Sequence, residues 1–73
     1  MTITDAARLL SLPEAARRVE YRAIGLEPER GTVMHVTANY VFVAYDGRGG
    51  GWWATSPEDL TLVTTLHRQE RLP

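Results

Sequence analysis

GTVMHVTANYVFVAYDGRGGGWWATSPEDL, residues 31–60, carries most of what the chain says about its architecture. Val41-Phe42-Val43-Ala44-Tyr45 alternates with period two, the mark of a strand with one buried face. Val41, Val43 and Tyr45 then share one side, and Tyr40, Phe42 and Ala44 the other. Thr32–Val36 predicts a second strand, separated from the first by Thr37-Ala38-Asn39, with Asn39 the residue suited to a left-handed backbone. Asp46-Gly47 and the glycines after it form a hairpin signal that returns the chain as Trp52–Thr55. Ser56–Leu60 reads as a single helical turn. Ser56 is its N-cap, Pro57 its first residue, and Glu58 and Asp59 lie at its positive end. Leu60–Val63 predicts the last strand.

Upstream, Val19 and Tyr21 alternate with Glu20 and Arg22, as a further strand would. Gly25–Gly31 is punctuated by Gly25, Pro28 and Gly31 and reads as a loop. Residues 2–18 are helical in their chemistry. Thr2 with Asp5 and Ser11 with Glu14 each fit a capping box, and Pro13 suits a first turn. A helix-turn-helix would need a basic recognition helix followed by more helix, and here the chain turns to strands. Five short strands with tight connections predict a mainly β fold, a small five-stranded barrel with a short N-terminal helical extension. The extension covers 1–18, the barrel 19–63 and a polar tail 64–73.

Three phrases carry a family resemblance. They are Gly31-x-Val33, then Tyr40-Val41-Phe42-Val43 with Tyr45-Asp46-Gly47, and then Ala54-Thr55 with Pro57-Glu58-Asp59-Leu60. Together they resemble the SH3-like barrel domains of short phage and prophage proteins. The resemblance covers about residues 19–63 and rests on framework positions, Gly31, Val33, Val41, Val43 and Leu60. It implies an SH3-like barrel. For function it implies docking onto a host or phage protein, with inhibition of a bacterial defence protein included.

Composition narrows the classes. The 73 residues contain no cysteine, so disulfides and thiolate metal sites are excluded. His35 and His67 have no ligand cluster beside them in sequence, and no metal or cofactor is expected. All eight basic residues are arginine, against nine acids. Residues 1–30 balance at five against five, while 31–63 set Arg48 against Asp46, Glu58 and Asp59. No basic stripe suited to phosphates emerges. The opening MTITDAARLL lacks the basic and apolar regions of a signal peptide, and no apolar run is long enough to span a bilayer. A cytoplasmic protein of the host cell is expected.

No catalytic set is visible. Ser11 and Ser56 sit where caps are expected, and Glu58 and Asp59 diverge on a turn. GRGGG lacks the Lys-Ser/Thr of a phosphate loop and precedes a strand. The expected protein is not an enzyme.

The aromatics carry the functional question. Trp52 and Trp53 are adjacent, so on a strand they point to opposite sides. In one reading Tyr45 and one tryptophan complete the core, and the N-terminal helix covers Tyr40, Phe42 and the other tryptophan. In a second, Tyr40, Phe42 and the outward tryptophan form a contact face for a protein partner or a second copy of the chain. A third is an aromatic cage for a cationic side chain, with Asp46 or Glu58 supplying charge. The expected partner-binding set is Tyr40, Phe42, Trp52, Trp53 and Arg48. Alternatives are a nucleic-acid module, and an oligomer binding a nucleotide with a tryptophan on the base and Arg48 on a phosphate.

Overall fold

The computed structural model describes residues 1–63, and the tail expected over 64–73 lies outside them. The chain forms α1 (Ile3–Leu9), a 3-10 turn (Glu14–Ala16), β1 (Arg18–Tyr21), β2 (Glu29–Val36), β3 (Val41–Tyr45) and β4 (Trp53–Thr55). A second 3-10 turn (Pro57–Asp59) leads into β5 (Leu60–Leu62). The strands make one antiparallel sheet in the order β4-β3-β2-β1-β5. The fold is mainly β, five strands and a short helix, with β4 and β5 as the two edges of the sheet.

Alternation along β3 sets the core. Val41 and Val43 are fully buried and Tyr45 nearly so, while Phe42 and Ala44 between them are only half-buried. Val19, Val33 and Leu60 join from β1, β2 and β5, and α1 adds Ala6 and Leu9 to the same cluster. The helix therefore covers the face opposite Phe42. Its start is the capping box read from the sequence. The Thr2 hydroxyl accepts from the Asp5 amide at 3.0 Å, and the Asp5 carboxylate accepts from the Thr2 amide at 3.3 Å.

The second expected box does not form. The Ser11 hydroxyl donates to the Arg8 carbonyl at 2.9 Å, closing α1 instead of opening the next turn. Ser56 holds the N-cap position of its turn but makes no side-chain bond there.

Three local features differ from the sequence reading. β2 begins at Glu29, inside the expected loop, and Gly31 lies within the sheet opposite Tyr45. A Cβ there would stand 2.6 Å from the Ala44 carbonyl oxygen and 2.6 Å from Val43 Cγ1, so close strand approach explains the glycine. Next, Val33 pairs with Val43 but His35 pairs with Phe42 and Val36 with Val41. Met34 is thus an extra residue, a bulge that turns both Val33 and Val36 toward the core and leaves His35 exposed. Finally, Asn39 is not left-handed, since among the described residues only glycines have positive φ. The Thr37 hydroxyl oxygen holds that turn by accepting from the amides of Asn39 and Tyr40 at 3.3 and 3.0 Å. In the next hairpin Gly49, Gly50 and Gly51 take positive φ, at 39°, 112° and 82°.

No helix among the described residues is long and apolar enough to cross a membrane.

Candidate functional site

β3 ends at Tyr45, and its ring lies under the following hairpin. The Tyr45 hydroxyl shares a 2.7 Å hydrogen bond with the Thr55 hydroxyl on β4, and Tyr21 of β1 meets the Tyr45 ring edge-on at 6.0 Å. Burial pushes the Tyr45 hydroxyl above the usual tyrosine range, against the opposing effect of the Thr55 hydrogen bond. Arg48, on the glycine hairpin, folds back over this group. Its guanidinium carbon sits 4.7 Å from the centre of the Tyr45 ring and 5.3 Å from that of Trp53. Glu29 receives its fork, accepting from Nε at 3.0 Å and from Nη2 at 2.8 Å.

The hydrogen bonds from Arg48 hold the Glu29 carboxyl below its ordinary range, and Glu29 in turn raises Arg48. Nearby, Arg18 donates to Asp46 and lowers that carboxyl in the same way. Tyr21, Tyr40, Tyr45, Arg48, Trp53 and Asp59 are among the residues lining a pocket of about 230 Å³ at this end of the sheet.

The expected contact set divides. Tyr40, Trp53 and Arg48 meet at the pocket. Phe42 lies on the opposite face of the sheet, its ring 5.8 Å from that of His35. Trp52 precedes β4 and is exposed.

The expectation that one tryptophan completes the core is corrected: Trp52 is 53% exposed and Trp53 43%. Trp53 pairs with Val43 and so shares the core side, but β4 is an edge strand of three residues and no described strand lies beyond it. The core position on β4 belongs to Thr55, opposite Val41. Nor does the helix cover Tyr40, which is 48% exposed.

Glu29, Tyr21 and Asp59 were not legible as site residues. Glu29 and Arg48 are 19 residues apart, and only the pairing of Gly31 with Tyr45 brings the start of β2 beside the hairpin. Among the described residues, no group of three or more His, Cys, Asp or Glu side chains could hold a metal ion. Of the described arginines, all but Arg8 lie within ion-pair distance of a described acid. No family model, curated protein or solved structure matches the chain.

Proposed function

We propose that this chain is a non-enzymatic protein-binding module that docks through the aromatic end of its sheet. The observation that carries the reading is the exposure of both tryptophans and Tyr40 in a domain with so small a core. A chain this short needs its large apolar groups for burial, and aromatic side chains left exposed are favoured anchors of contact surfaces. The fold proposed is an SH3-like barrel. The pairing of β5 with β1 and the 3-10 turn before β5 support that reading. The resemblance to phage and prophage domains makes the partner a host or phage protein, a bacterial defence protein among them. Among the described residues every arginine but Arg8 lies beside an acid, which weighs against a nucleic-acid reading.

The test is Trp52→Ala. Trp52 contributes nothing to the core, so the variant is expected to melt within a few degrees of the wild type. Partner binding should weaken about 30-fold, the loss of a hot spot of roughly 2 kcal/mol. A variant that binds the wild-type partner with undiminished affinity would remove Trp52 from the docking face.

A further inference from the structure

We propose that the pocket at the end of the sheet is a guanidinium site, built to take an arginine side chain of a partner and held by the chain's own Arg48 until the partner arrives. The bound state of such a site is already on view. Arg48 lies over the rings of Tyr45 and Trp53 while Glu29 grips its fork in two places. Planar guanidinium suits this combination of stacking and bidentate pairing better than a compact ammonium does.

The occupant is detachable. Arg48 projects from a hairpin whose glycines, Gly47, Gly49, Gly50 and Gly51, are all exposed. Nothing lies within 4 Å of a Cβ added at any of them, so the occupant is carried on a loop with free space around its backbone. Its ion pair with Glu29 keeps about one-third of each side chain exposed, so a competing guanidinium can approach the same carboxylate from solvent.

The pocket also has room and charge for an incoming cation. About 230 Å³ remains open beside Arg48, with Tyr40 and Asp59 in its wall. Asp59 makes no ion pair among the described residues. With Arg48 withdrawn, Asp59 in the wall and Glu29 beside the pocket, released from its fork, leave two negative charges next to four rings, Tyr21, Tyr40, Tyr45 and Trp53. An anionic ligand would meet both acids and find the Nε and Nη2 donors of Arg48 already used.

The inference rests on the reading of this end as a docking surface, and a small probe separates the two. The probe is N-acetyl-arginine methylamide, followed by the indole resonance of Trp53. Arg48→Ala removes the internal competitor and should bind the probe about tenfold more tightly than the wild type. The neutral citrulline analogue should not bind, and adding Glu29→Gln should abolish binding. A folded Arg48→Ala chain that leaves Trp53 unmoved, binds no more tightly than the wild type, or accepts citrulline equally overturns the proposal, whatever Trp52→Ala does to partner capture. Should Arg48→Ala not fold, the probe is titrated into the wild type and must shift the Arg48 Nε–H resonance. An unmoved resonance overturns the proposal there.

Discussion

Val43→Asp is expected to abolish the cooperative melt, and Val41→Asp to do the same. Both valines are fully buried, with Val33, Val19 and Leu60 in the same cluster. A carboxylate at either position loses its hydration and finds no cation, at a cost of several kcal/mol. That approaches the whole stability of a small domain, about 5 kcal/mol at the low end of the usual range. His35→Asp, on an exposed residue of the adjacent strand, should leave the melt close to that of the wild type. Thermal denaturation by circular dichroism reads all three, and equal sensitivity at the three sites would contradict the register.

Gly31→Ala should produce the second large effect. Its φ is not positive, so backbone conformation is no obstacle to alanine. The obstacle is space. The new methyl meets the Ala44 carbonyl oxygen and Val43 Cγ1, and the backbone atom cannot swing aside as a flexible side-chain tip would. β2 and β3 must separate locally, and overpacking of this kind costs about 1–3 kcal/mol. For a domain of this size the melting temperature should fall by roughly 5–20 °C. Gly47→Ala, with nothing within 4 Å and no positive φ, is the matched control and should be nearly silent.

The contrast between these glycines shows where the sequence is legible. Alternation at Val41, Val43 and Tyr45 identifies the buried face of β3 because a strand's side chains must alternate. The Thr2–Asp5 box is legible because its bonds lie within four residues. Gly31 looks like loop punctuation, since the crowding that requires it comes from β3. Strict alternation would have put His35 on the side of Val33, and the extra residue at Met34 that reverses this is visible only in the β2–β3 register.

The tryptophans show the same limit. Parity correctly separates the sides of a strand, but burial also needs something on that side. Trp53 shares the core side with Val43 and remains exposed because β4 is an edge. Of the expected contact set, Tyr40, Trp53 and Arg48 do meet, whereas Phe42 lies across the sheet. Glu29 becomes visible only once the β2–β3 register is known.

Both tryptophans stand at the surface, and neither belongs to the buried core. Acrylamide quenching of tryptophan emission in the isolated chain checks this without a partner in hand, because Trp52 and Trp53 are the only tryptophans. All of the emission should be quenched, with Trp52 quenched faster than Trp53, which lies beneath Arg48. A blue-shifted component that resists quenching in the folded monomer would place one tryptophan in the core and contradict the assignment.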